Sequence, residues 1–351
     1  MAKVFLLSAA PTHQRSQYNL AALRALHASA KANVFGVHTL TEDPDTADVI
    51  VFADLQGAGM HFEAIRRHRL VRRYREKCFI FCSSAFVIPF LPGIYASLEK
   101  RWQSRRTCPG FHVTELQNEF ATFSPPTPDL PYLFSFIGST ATAPVRRRLA
   151  GVKHARGFFQ DTAADFDRAL HGQMSRMEHC EYARRFVAVI QASKFALCPR
   201  GLGVATIRLM EAMRMGRAPV VISDGWGEPT GPSWERFSIR VGENDIAQIP
   251  RLLERREAEA VAMGKMARQQ WEQWFSEEAA FHRVVDWCLQ IQERRIVPEA
   301  LGRFPAYLQL LRPIHIRWVL RPWYHALRHI LHRSHPAGAT DEAESRRIRK
   351  P

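Results

Sequence analysis

The sequence lacks the devices that most directly assign a chemistry. Its six cysteines (Cys78, Cys82, Cys108, Cys180, Cys198, Cys288) contain no C-x-x-C and no metal-ligand spacing, which argues against a thiolate metal site. Cys78 and Cys82 share one face of an apolar run, as small buried residues do. No N-x-S/T sequon occurs, and together with the unpatterned thiols this points to a reducing cytosol. No apolar run reaches the ~20 residues that a bilayer crossing requires. Met1 to Ala10 mimics a signal peptide, but its apolar core is short and a polar stretch follows without a processing site, so it is expected to be the first strand. No G-x-G-x-x-G follows that strand, so a dinucleotide site there is not expected. Acidic residues are scarce: 34 Asp and Glu stand against 49 Lys and Arg, a net charge of +15. Residues 301–351 carry ten of the basic and three of the acidic residues, hence +7 of that total. Such an excess implies an anionic partner: nucleotide phosphates, a membrane surface or nucleic acid.

What is present is the alternation of an α/β protein. With 351 residues, two domains are the prior. Strands are expected at Val4 to Ser8, Val34 to Leu40, Asp48 to Asp54 and Cys78 to Ser84. Helices are expected at 17–29 and at 61–76, the latter with six arginines. Residues 1–125 therefore predict a parallel sheet covered by helices. Asp43-Pro44-Asp45 superficially matches the D-x-D of metal-dependent sugar transfer, but Asp-Pro before a strand is ordinary turn chemistry. Phe90 to Tyr95 predicts a turn. Residues 123–131 hold four prolines in nine positions, which suits an extended linker centred on 126–131. A second α/β domain spans 132–264. It opens with the strand Tyr132 to Gly138, a small polar turn, Pro144 at a first helical position, and Arg146, Arg147 and Arg148 behind it. Those arginines serve either a ligand or a solvated helix face. Helices are expected at 178–192, 245–262 and 265–296. The segment 304–335 mixes apolar, tryptophan and basic residues in the manner of a helix that lies in a membrane interface or docks on the protein itself, and 336–351 has the composition of a disordered end.

The stretch Ser193 to Asp224 carries the densest information. An apolar run ends at Pro199, and Gly201 and Gly203 bracket a loop with the freedom for positive φ and for close ligand approach. A helix then starts near Thr206 and stops at Gly216, and Pro219 to Ile222 forms a buried strand closed by the turn Ser223-Asp224-Gly225. Open α/β sheets bind ligands at that edge. Arg208 sits in the first helical turn, where the macrodipole disfavours a cation unless an anion is present, and Arg200 lies in the loop before it. Together with helix amides they make a phosphate site. Glu211 can accept two hydrogen bonds from a ribose diol, or it pairs with Arg208 or Arg214 one turn away.

These residues resemble the exostosin-type glycosyltransferase family. The shared pattern is Ser193-Lys194-Phe195 with Leu197-Cys198-Pro199 and Gly201; then Arg208 with Glu211-Ala212; then Gly216 with Pro219 to Asp224; and finally Trp234 with Phe237 to Val241. The resemblance covers about sixty residues in order and spacing. It implies a GT-B fold, two Rossmann-like parallel-sheet domains facing a central cleft, with helices over 265–300 crossing back to the first domain. It further implies inverting transfer from a nucleotide-sugar held by the second domain. Gly138, Arg146, Arg200, Gly201, Arg208, Glu211, Ser223 and Asp224 are then the donor-side candidates, and Asp54 and His13, each following a first-domain strand, the candidate bases. A UDP- or GDP-sugar would be the donor and a glycan or lipid-linked glycan the acceptor, as in cell-surface polysaccharide synthesis. No metal or other cofactor is expected, since the arginines supply the charge. The expected location is cytoplasmic, peripheral on the inner membrane face. The competing reading, a non-catalytic basic protein for nucleic acid or acidic membrane, explains the arginines but neither Glu211 with Gly216 nor the Ser223-Asp224 turn.

The membrane reading of 304–335 has a direct test. Removing residues 304–351 is expected to release the protein from sedimenting acidic vesicles, and unchanged co-sedimentation would refute it.

Overall fold

A computed structural model of the chain describes residues 1–10, 19–54, 63–85, 87–302 and 304–309. Met1–Glu299 forms one compact unit with two sheets. The first contains β1 (Lys3–Leu7), β2 (Thr39–Leu40), β3 (Val49–Ala53), β4 (Cys78–Cys82), β5 (Gly93–Tyr95) and β6 (Thr107–Pro109), in the order β2-β1-β3-β4-β5-β6. The second contains β7 (Tyr132–Gly138), β8 (Gly157–Asp161), β9 (Ser193–Pro199), β10 (Ala218–Ile222) and β11 (Ile239–Arg240), in the order β11-β10-β9-β7-β8. Every ladder is parallel. The central strands β3, β4 and β10 are buried on both faces, which is why they read as continuous apolar runs rather than alternating ones.

The helices of this unit are α1 (Ala21–Ala32), α2 (Glu63–Arg67), α3 (Arg69–Arg73), α4 (Pro144–Leu149), α5 (Ala163–Leu170), α6 (Arg176–Gln191), α7 (Ile207–Arg214), α8 (Trp234–Phe237), α9 (Ile249–Arg255), α10 (Ala260–Trp274) and α11 (Ala280–Arg294). Helix α6 begins in a capping box made by Ser175 and Glu178. Helix α7 ends in a Schellman turn: Gly216 N–H donates to Met213 O and Arg217 N–H to Ala212 O, with Gly216 at φ +74°. Beyond this unit, the short helices α12 (Glu299–Gly302) and α13 (Phe304–Gln309) carry the described chain to its end. The rest of the 304–335 tail lies outside the described residues. No described helix is long and apolar enough to cross a membrane.

Several local expectations are corrected. The strand expected at Val34 to Leu40 shrinks to β2. The basic helix at 61–76 is two short helices broken at His68, whose ring caps the second by accepting from Leu70 N–H. Phe90 to Tyr95 is not simply a turn, because Gly93–Tyr95 pairs with both β4 and β6. The helix expected at 245–262 is interrupted around Arg256, with α10 starting only at Ala260. Asp43 does form a turn, accepting from Asp45 N–H.

The two sheets share a core. Phe111 behind β6 meets Phe275 and Trp287 at centroid distances of 5.2 and 6.1 Å, and Phe275 meets Trp234, which meets Trp226 edge-on at 5.0 Å. Helix α11 packs on α1, β3 and β5, so the end of the unit covers the first sheet. Ser29 of α1 fastens it, donating to Glu278 O and accepting from Phe281 N–H. The proline-rich connection is fastened too. Arg217, 1% exposed, donates to Ser124 O, Ser124 Oγ, Gln191 O, Met215 O and Gly216 O. Its guanidinium thereby holds the linker, the end of α6 and the end of α7 in register.

Removing that guanidinium strands several buried carbonyls. Arg217→Met is expected to lower unfolding free energy by about 3 kcal/mol or more, read from the urea midpoint; a change below about 0.5 kcal/mol would refute this assignment.

Candidate active site

The carboxyl ends of β7 and β9 and the start of α7 converge on a cavity of about 360 Å³. Its lining from the second sheet includes Gly138, Ser139, Arg146, Gly201, Tyr182, Thr206, Arg208 and Glu211. Ala85, His112 and Leu116 close it from the first.

Arg208 is the centre of the site. It is 8% exposed, its guanidinium lying over Phe136 at 4.9 Å and Phe186 at 5.1 Å. Nη2 donates to Ile137 O, while Nε and Nη1 are buried with no partner among the described residues. Ser139 Oγ on the same lining is likewise buried and unpartnered. Among the described residues Arg208 forms no ion pair; burial pushes its pKa down, and the nearby charge of Glu211 opposes that shift. A Cβ at Gly138 would collide with Nη2, so Gly138 is glycine because this guanidinium occupies the side-chain space.

Arg146 repeats the arrangement. It is also 8% exposed and donates to Arg200 O at 2.8 Å, Ser139 O at 3.3 Å and Pro199 O at 3.2 Å. Nη2 also donates to Thr206 Oγ1 at 3.4 Å, so that side chain serves Arg146 rather than capping α7. A Cβ at Gly201 would come within 3.2 Å of Nη2. Burial, followed by the charge of Arg208, lowers the Arg146 pKa to about 9. The neighbouring Arg147 and Arg148 are exposed, so of the three only Arg146 enters the site.

Glu211 is buried, with Oε1 accepting from Asn118 N–H at 2.8 Å and Oε2 without a hydrogen bond among the described residues. Burial raises its pKa, opposed by the hydrogen bond from Asn118 N–H and by the charges of Arg208 and Arg214. Asn118 also donates to Ala183 O, tying the chain after β6 to α6.

Other candidates lie elsewhere. Arg200 leaves the cavity for Glu243, Nε to Oε1 at 2.7 Å, and Glu243 in turn exchanges backbone contacts with Asp224, which is exposed. Ser223 is buried but its hydroxyl donates to Val204 O. None of the three lines the cavity. Asp54 is fully buried at the end of β3, accepting from Ser8 Oγ at 2.5 Å and from Ala9 N–H at 3.2 Å, and it too is absent from the lining. His13 lies outside the described residues. Gly201 and Gly203 do not adopt positive φ; Gly203 is needed because a Cβ there would strike Ala85 O of the opposite wall.

Sequence reading missed His112. Its Nδ1 lies 3.1 Å from Ser83 O, and a carbonyl only accepts, so Nδ1 carries the proton and Nε2 is an acceptor. His112 lines the cavity from the wall opposite Arg208, and burial lowers its pKa to about 4. A lone histidine after Pro109-Gly110 offers no periodic or spacing signal. Reading also passed over a D-x-D, Asp165-Phe166-Asp167. On α5 residues two apart diverge, and Asp165 pairs with Arg185 while Asp167 meets His171, so the two do not form a metal clamp. Among the described residues no group of three or more His, Cys, Asp or Glu could hold a metal ion.

Two parallel α/β sheets with a cavity between them have the GT-B arrangement. Residues 84–256 match the Exostosin GT47 domain. It is 40% identical over 76 residues to an Exostosin-1 homolog of Caenorhabditis elegans, covering 21% of this chain and 20% of that protein. It is 30% identical over 99 residues to Exostosin-1 of Drosophila melanogaster (27% and 13%). With a probable glucuronosyltransferase GUT1 of Oryza sativa subsp. japonica it shares 27% identity over 113 residues (28% and 27%). The chain thus spans about a quarter or less of the length of these relatives. Among solved structures, sucrose-phosphate synthase from Thermosynechococcus elongatus is similar at a TM-score of 0.46 and 10% identity, over 84% of this chain and 99% of that one.

The buried neutral His112 makes stability pH-dependent. Its folded pKa, about 4, lies below the ordinary 6.5, so below 6.5 the unfolded chain takes up a proton that the folded one refuses. Stability should therefore fall as pH drops from about 6.5 towards 4, by roughly 3 kcal/mol in total from this residue. Urea titrations at several pH values should show a shallower acid slope in His112→Gln, and an identical slope would refute the assignment.

Proposed function

We propose that the protein transfers a sugar from a nucleotide-sugar donor to a glycan or lipid-linked glycan acceptor, with inversion at the anomeric carbon. One observation carries this reading: Arg208 lies buried at the cavity with two donor nitrogens unsatisfied and no ion pair among the described residues. A buried cation with free donors is costly unless an anion completes it. The donor's diphosphate is that anion, held by Arg208 and Ser139 with Arg146 adding charge behind them. Glu211, through the oxygen left free by Asn118, is the ribose acceptor.

In this reading the acceptor hydroxyl attacks the anomeric carbon from the side of the first sheet. The carbon–oxygen bond to the diphosphate breaks, and the electron pair leaves with the diphosphate on the arginine side. The hydroxyl proton passes to His112 Nε2, on the wall opposite the leaving group, where Asp54 and His13 were expected to act. Burial lowers the His112 pKa, and a bound diphosphate, being anionic, raises it. Charge on the leaving group is assigned to guanidinium groups, and no metal is invoked. The donor is a UDP- or GDP-sugar. A cytoplasmic location with peripheral contact of 304–335 on an acidic membrane belongs to the same proposal, and nucleic acid is not among the proposed partners.

UDP or GDP at micromolar concentration should raise the thermal midpoint of the full chain, in buffer containing EDTA. Arg208→Ala should lose that shift and at least a hundredfold in transfer activity, with an unchanged circular dichroism spectrum. Full activity in Arg208→Ala, or a requirement for divalent metal, would overturn the site as described.

A further inference from the structure

The donor reading leaves the mouth of the cavity without a role. Two apolar side chains stand there in solvent: Phe166 on α5, 40% exposed, and Leu202 in the glycine loop, 55% exposed. Exposed phenylalanines elsewhere in Met1–Glu299 are covered by partners. Phe35 lies against His282 with the Arg283 guanidinium 5.6 Å over its ring, and Phe123 carries Arg268 at 5.2 Å. Phe166 has no ring or cation contact among the described residues.

Its placement is well held. Phe166 N–H donates to Thr162 O, and Thr162, buried at the start of α5, shares a hydrogen bond of 3.1 Å with the hydroxyl of Tyr182, itself on the cavity lining. Asp165 ties the same helix to Arg185 on α6 at 2.9 Å. The ring is thus carried on a braced helix, on the lining of a cavity that also holds Arg208 and Ser139. A cationic floor beneath an apolar rim suits a molecule that is anionic at one end and flat and apolar at the other.

We infer that Phe166 and Leu202 form the nucleobase platform of this site: the base stacks on the Phe166 ring, Leu202 covers its other face, and the diphosphate extends inward to Arg208. This rests on the nucleotide-sugar reading above. Stacking uses the π-face that every base has, so the platform accepts uracil and guanine alike, and selectivity between them must come from other groups.

The test is calorimetric titration of the full chain with UDP, GDP and inorganic diphosphate. Phe166→Ala is expected to weaken both nucleotides roughly ten- to hundredfold while leaving inorganic diphosphate unchanged. Phe166→Trp is expected to restore nucleotide affinity, and Phe166→Leu, which keeps apolar area but no ring, to fall between. Unchanged nucleotide affinity in Phe166→Ala would overturn the platform, as would an equal loss for diphosphate, which would mark a residue that only shapes the pocket. A loss seen with UDP-sugars but not with UDP would also overturn it, by placing the ring under the sugar. Wild-type protein that binds neither nucleotide nor diphosphate would remove the donor reading and this subsite with it.

Discussion

A buried guanidinium with two nitrogens left without hydrogen-bond partners among the described residues is the constraint around which this protein is built. Arg208 is held between the faces of Phe136 and Phe186, which offset part of its lost hydration through their ring quadrupoles. One nitrogen is anchored on the end of β7, and two are left over. Around it, residues are chosen for what they permit. Gly138 leaves room for the guanidinium, Gly201 does the same for Arg146, and Glu211 one turn along α7 is buried beside it with its pKa raised. A site of this kind is unfavourable in itself and is sustained by the packing of both sheets.

That packing is a single aromatic seam rather than two lobes on a hinge. Phe111, Phe275, Trp287, Trp234 and Trp226 form an unbroken chain of ring contacts from one sheet to the other. Main-chain contacts reinforce it beside the cavity, where Lys100 N–H donates to Gly225 O and Gly203 sits against Ala85. The proline-rich connection is not a free spacer either, since Arg217 fixes Ser124 to the ends of α6 and α7. His112 and Arg208 are therefore both placed on the cavity by packed elements, the condition under which the proposed base and leaving-group clamp keep their alignment.

The strand–loop–helix–strand unit from Ser193 to Ile222 was legible before any coordinates. Its signals are local: an apolar run, a proline stop, a glycine at the helix end, and a β-branched run. Gly216 ends α7 at positive φ for the reason its residue type suggests. Strands β1, β3, β4 and β7 were legible in the same way, whereas the short strands β5, β6 and β11 and the half-buried β8 carry no apolar run long enough to mark them. Where chain-local signals were weak, boundaries moved: Val34 to Asp48 has little apolar continuity, and only Thr39 and Leu40 pair.

Sequence alone determined the two α/β sheets, the position of the central unit and the presence of cations near its helix, because secondary structure and its punctuation depend on neighbours a few residues apart. Which cations face the cavity was decided only by tertiary structure. Arg200 and Arg146 look equivalent in sequence, yet Glu243, distant along the chain, draws Arg200 out, while the carbonyls of Ser139, Pro199 and Arg200 draw Arg146 in. His112 has no sequence signature at all. Its tautomer is set by Ser83 O and its place on the cavity by the seam, both products of contacts that form only when the two sheets meet.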